Sequence, residues 1–167
     1  LNFSTAQLGP FTNNVADLLA FVRPNDLQLD LLGASVIKTY PRDWPTNEFF
    51  SAPGYVGDFA SLLIDNFRLG RAGVAGVGAR EFATILAAIV APQSKGRVTL
   101  KSADTNDLPN VDMGWLTDPV DQRLAVYGFK QTRKFFAANS MKPARANDQE
   151  FYPGLDVSDD AAILNHV

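Results

Sequence analysis

Residues 91–133 read APQSKGRVTLKSADTNDLPNVDMGWLTDPVDQRLAVYGFKQTR. Pro92 and Gly96 bracket a tight turn, after which Val98, Leu100 and Ser102 alternate with Arg97, Thr99 and Lys101 in the period of a half-buried strand. The apolar run from Thr84 to Ala91 stands ready as its partner. The spacing predicts an antiparallel hairpin over residues 84–102, with a loop length that leaves the register open. Asp104, Asn106, Asp107, Pro109 and Asn110 then crowd turn-forming chemistry into one short polar segment. Asp118 precedes Pro119 as an N-cap precedes a proline at the first helical position, where a missing amide hydrogen costs nothing. Val120, Leu124, Tyr127 and the Phe129–Phe136 stretch keep helical spacing, with Arg123, Lys130, Arg133 and Lys134 between them, so an amphipathic helix is expected to about residue 139.

Upstream, the reading is of short elements. Asn13 or Asn14 is placed to cap a short helix carrying Val15, Leu18, Leu19 and Val22, stopped before Pro24. Asn25 or Asp26 can open another turn, and Leu27, Leu29, Leu31 and Leu32 are apolar enough to be buried, with an ambiguous period. Pro41 and Pro45 break regular structure. Residues 48–52 read as a strand, central or next to central because bulk stands on both faces, with Glu48 and Phe50 on one side and Phe49 and Ser51 on the other. Residues 65–80 are expected to form a surface loop of the length that serves as a lid, with Tyr55 and Phe59 lining an entrance or packing beneath it. Ser158 and Asp159 cap a helix running to the end.

Composition narrows the class. The chain has 167 residues, 46% hydrophobic and 20% charged, which suffices for one domain with its own core. A net charge of −3, with basic residues scattered, gives no footprint for nucleic acid, and no apolar run reaches the roughly 18–20 residues of a membrane span. Without cysteine there is neither a disulfide framework nor a thiolate metal site. The single histidine, His166, has no partner for a pair, a triad or a metal site and reads as a solvent-facing helix residue. Asn2-Phe3-Ser4 fits a glycosylation acceptor and would suit a secreted origin, though compartment is otherwise unreadable.

The ordered string P-Q-S-K-G-R-V-T-L-K-S-A-D, then D-L-P-N-V-D, then W-L-T-D-P-V-D-Q resembles the C-terminal signature of the glucose-methanol-choline (GMC) flavin oxidoreductases, with Lys95 where the family more often has arginine. Gly9–Phe21 and Asp43–Phe59 look like its fungal members, in the branch of versicolorin B synthase and aryl-alcohol-dehydrogenase-like enzymes, and Glu150–Gly154 is similar to the family's E-x-x-P-G turn. The resemblance spans residues 8–166. It implies an α+β fold, a mainly antiparallel sheet with helices packed on one face, over residues 1–167 as a single domain: the substrate-binding portion of such an enzyme. It also implies that the flavin-binding domain and the catalytic-histidine segment belong to polypeptide outside this sequence, since the chain starts at Leu1 without methionine and stops inside the last helix.

The resemblance gives Phe50 the role of pocket wall, with simple burial in the core as the alternative, and Glu48 that of polar neighbour, with Ala88 a weaker candidate beside Tyr55 and Phe59. The cluster Gly70, Gly73, Gly76 and Gly78 has the spacing of a G-x-G-x-x-G phosphate turn in the wrong order, without a preceding strand, and reads as a surface loop. No catalytic, cofactor-binding or metal-binding residue is therefore assigned. FAD would be held by the intact parent and not by this chain alone. The expected partners are the remaining flavin-binding segments and a small alcohol or aromatic substrate, with neither nucleic acid nor membrane. Two functions stand open: part of an FAD-dependent oxidoreductase acting on the CH–OH group of alcohols, and a catalytically silent binding or assembly module. A redox-neutral cyclase or lyase on the same scaffold is a variant of the first.

Overall fold

The computed structural model describes residues 16, 18–52, 56, 83–145 and 150–167. Tyr55, Phe59, the segment 65–80 and the glycine cluster at 70–78 lie outside them. The described chain is α+β. Three antiparallel strands, β1 (Leu19–Val22), β2 (Asn47–Ala52) and β3 (Thr84–Ile89), lie in the order β1-β2-β3, so β2 is central. One face of this sheet is covered by the longest helix.

That helix, α2 (Pro119–Ala137), follows α1 (Asp26–Leu31) and precedes α3 (Asp160–His166). The Asp118 carboxylate accepts from the Val120 amide at 2.7 Å, and Pro119 stands at the start of the helix. Asn47, Phe49 and Ser51 of β2 face α2. Phe49 is fully buried with its ring 5.6 Å from that of Phe135, and the Asn47 side chain donates to the Leu124 carbonyl at 3.2 Å. Gly128 makes the approach close enough: a Cβ there would stand 2.9 Å from Asn47 Nδ2 and 3.3 Å from Ala87 Cβ. Above α2, α1 and a 3₁₀ turn (Ser35–Thr39) bring Leu29, Ala34 and Ile37 onto Leu124 to form the core cluster. Asn25 caps α1 in a full capping box with Gln28. Of the four leucines there only Leu29 is buried; the helical period turns Leu27 and Leu31 outward and leaves Leu32 partly covered. Hydrogen bonds from Lys38, then Ser35, hold the exposed Asp30 carboxyl below its ordinary range and tie the turn to α1.

Two expectations are corrected. The spacing of Leu18, Leu19 and Val22 suggested a helix, yet residues 19–22 form β1, whose register pairs Leu19 with Phe50, Ala20 with Phe49, Phe21 with Glu48 and Val22 with Asn47. Cross-strand hydrogen bonding to β2 overrides a weak local preference. The hairpin over 84–102 does not form either. β3 pairs with β2, and β4 (Arg97–Thr99) pairs instead with β5 (Asn110–Asp112), with Val98 opposite Val111. The cause is a carboxylate: Asp121 holds the Gln93 and Ser94 amides and turns the chain off the sheet before β4 begins. The β4–β5 ribbon is exposed on both faces, so Val98 is not half-buried. The antiparallel wall of the described chain is β1-β2-β3, without the 84–102 ladder.

Gly96 lies just ahead of β4, pressed against the backbone at the end of β5. A Cβ at this position would lie 2.2 Å from the Asp112 carbonyl oxygen and 2.5 Å from that of Met113, and both obstacles are backbone. Gly96→Ala is expected to cost about 1–3 kcal/mol by forced displacement, read as a lower urea midpoint together with lost hydrogen-exchange protection at the ribbon amides. An unchanged midpoint would contradict the close approach.

Candidate functional site

Alternation along β2 sends Glu48 and Phe50 to the face opposite α2. The register then assembles the rest: Glu48 stands between Phe21 and Ala88, and Phe50 between Leu19 and Leu86. Glu48, Phe50 and Ala88, named from the sequence, therefore share one face, with Leu19, Phe21 and Leu86 joining them from strands whose pairing the sequence does not reveal. No described helix covers this face. Leu19 and Phe21 are more than half exposed, Ala88 is exposed, and Glu48 and Phe50 are half-buried. Glu48 makes no hydrogen bond or ion pair with another described residue, and it is the one ionisable side chain that these three strands place there. An apolar surface with aromatic rings and a single acceptor suits packing against an aromatic or aliphatic body that carries one donor.

The signature turn behaves differently: it holds the fold. Asp121, fully buried in the first turn of α2, accepts from the Gln93 amide at 2.9 Å through Oδ1 and from the Ser94 amide at 2.7 Å through Oδ2. Ser94 Oγ accepts from the Asp118 amide at 3.0 Å, and the Gln93 side chain donates to the Tyr40 hydroxyl. Thus the serine of the P-Q-S-K-G turn and both aspartates of the D-P-V-D segment form one clamp between the turn and the helix start. Lys95 itself is exposed. Asp121 was missed as a structural residue, although an acid three positions after an N-cap is a signal that a helix start has amides to share.

At the other end of α2, Arg133 performs a comparable task. Its guanidinium pairs with both Glu150 oxygens, at 2.7 and 2.9 Å, donates to the Val157 and Gly154 carbonyls at 2.8 and 3.0 Å, and lies 4.6 Å from the Phe129 ring centre. The E-x-x-P-G turn is fastened by this contact. His166 is not solvent-facing as expected: it is half-buried on α3, edge-on to Tyr152 at 5.0 Å and to Phe129 at 6.3 Å, because the turn folds Tyr152 over it.

Two strand-to-helix turns stand in the described fold where a dinucleotide phosphate could approach a helix start. β1 enters α1 through Arg23-Pro24-Asn25, and β5 enters α2 through residues 113–118. In both, a side chain already occupies a leading amide, Asn25 on Gln28 and Asp118 on Val120, and acids Asp26, Asp118 and Asp121 crowd the start. Neither turn fits the diphosphate of a dinucleotide, which needs free amides and no competing anion. Among the described residues, no group of three or more His, Cys, Asp or Glu could hold a metal ion, and no helix is long and apolar enough to cross a membrane.

The family model for GMC oxidoreductase matches residues 92–167. Among curated proteins, the chain is 33% identical over 170 residues to patulin synthase of Penicillium expansum, covering 99% of this chain and 26% of that protein. It is 34% identical over 168 residues to dehydrogenase pkfF of Emericella nidulans, covering 100% and 25%. Against versicolorin B synthase of Aspergillus parasiticus the identity is 30% over 166 residues, covering 99% and 23%. The chain spans about a quarter of the length of the curated relatives it matches.

Proposed function

The chain belongs to the GMC oxidoreductase family, and from that premise we propose that it forms the substrate-side wall of an FAD-dependent enzyme that oxidises the CH–OH group of an alcohol. The observation that carries this reading is the open β1-β2-β3 face, apolar and aromatic around one carboxylate. Phe50, with Leu86 and Ala88, would pack against the body of the substrate, and Glu48 would accept a hydrogen bond from it. FAD would supply the redox chemistry from the remaining segments of the enzyme, which are also the partner of this chain; its own residues bind and orient. A second reading is a redox-neutral step on the same wall, since the relatives carry synthase as well as dehydrogenase names and one scaffold can host both chemistries.

The test compares the 167-residue chain with a polypeptide extended to the length of its relatives. With FAD and a set of primary and aromatic alcohols, the extended form turns over and the chain alone does not. In the extended form Phe50→Ala lowers kcat/KM by about tenfold, the worth of one lost aromatic contact. Turnover by the chain alone overturns the proposal, as does an extended enzyme indifferent to Phe50.

A further inference from the structure

The surface of α2 turned away from the sheet carries a second feature. Between α1 and α3 it floors a groove of about 530 Å³, a volume within the usual range for a small-molecule site. Val126 and Tyr127 supply its base and Leu164 one side, while Leu31, 80% exposed on α1, stands at the rim. Burial pushes the Tyr127 hydroxyl up, so it remains a neutral donor in the groove at any ordinary pH.

The charges are unequal. Arg123, Lys130 and Lys134 line the groove against a single carboxylate, Asp160. The chain as a whole is negative, at −3, so a local excess of cations around an apolar floor is a departure from its average surface. The three cations are not equally free. Arg123 donates to the Gly33 carbonyl at 2.8 Å, and Lys130 is paired with Asp160. Lys134, one turn further along the helix, has no ion pair or hydrogen bond with another described residue.

We propose that this groove binds a small anionic amphiphile, an apolar or aromatic body carrying one carboxylate, with the acid beside Lys134 and the body over Val126, Tyr127 and Leu164. The inference is independent of the open sheet face. The apolar lining supplies most of the affinity, and Lys134, which no described residue neutralises, decides the sign of the ligand.

Laurate serves as the probe, titrated into the chain by calorimetry, with dodecyltrimethylammonium as a competitor that has the same tail and the opposite charge. Lys134→Glu and Leu31→Glu alter exposed positions and keep the fold, as circular dichroism will verify. Saturable one-to-one binding is expected, weakened about tenfold or more by each of these changes, unaffected by Phe21→Ser on the sheet face, and not displaced by the cationic competitor. Equal competition by the cation, a loss that follows Phe21→Ser instead of the groove variants, or no saturation would overturn the proposal. So would loss of the site in a polypeptide extended to the length of the relatives, since the groove would then be filled by protein.

Discussion

Asp121→Ala is expected to destabilise the folded chain by about 3–5 kcal/mol, because two charge-assisted hydrogen bonds of roughly 1.5–3 kcal/mol each disappear together. The carboxylate is fully buried, and the amides of Gln93 and Ser94 that it serves have no helix or strand of their own to bond to. Against a total stability of about 5–15 kcal/mol for a domain, this change removes a large part. Urea unfolding followed by circular dichroism will show the midpoint collapse. Asp121→Asn keeps the shape but turns a donor toward one of the two amides, so it should recover only part of the loss. Ser94→Ala, which removes one acceptor for the Asp118 amide, should cost about 1 kcal/mol. A loss below about 1 kcal/mol for Asp121→Ala would mean that water replaces the carboxylate, and that the clamp is not what separates β3 from β4.

Phe49→Ala and Phe50→Ala should part company despite being neighbours. Phe49 is buried between β2 and α2 against Phe135, and its removal leaves a void worth about 3–5 kcal/mol. Phe50 points to the open face, where it is half-buried between Leu19 and Leu86, so its truncation should cost about 1 kcal/mol of stability or less. Stability and activity are thereby expected to separate: Phe49 governs the unfolding midpoint, Phe50 the kcat/KM of the extended enzyme. Equal stability losses would mean that the two faces of the sheet are wrongly assigned.

What the sequence made legible was local. Asp118-Pro119 announced α2 because a cap and a proline are chemistry within one turn, and Ser158 and Asp159 announced α3 in the same way, whereas Asn25 or Asp26 announced only a turn where α1 stands. β2 was readable because aromatic bulk on both sides of an alternating segment has few places to go. The misreadings share one cause, a distant partner. Nothing near Leu19 says that Phe50 lies beside it, and nothing near Ser94 says that a carboxylate 27 residues on will take its amide. The candidate site was visible to the same extent. Glu48 and Phe50 follow from strand alternation and a family signature, whereas Leu19, Phe21 and Leu86 enter only through register. Ala88 was named from the sequence, but its place opposite Glu48 is a fact of pairing.

The contacts of Arg133 carry a last implication, for the order in which the molecule comes apart. A single guanidinium joins α2 to Glu150, Gly154 and Val157, and so anchors the stretch that leads to α3. α3 adds little of its own: seven residues, one fully buried side chain, and an exposed pair between Lys130 and Asp160. The C-terminal stretch, held to α2 chiefly by Arg133 with the Lys130–Asp160 pair, Ile163 and the His166–Phe129 contact beside it, is therefore expected to open ahead of β1-β2-β3, which hydrogen exchange would read as earlier loss of protection over residues 150–167. Opening confined to that end would leave the margin of the wall adjustable to whatever polypeptide lies against it.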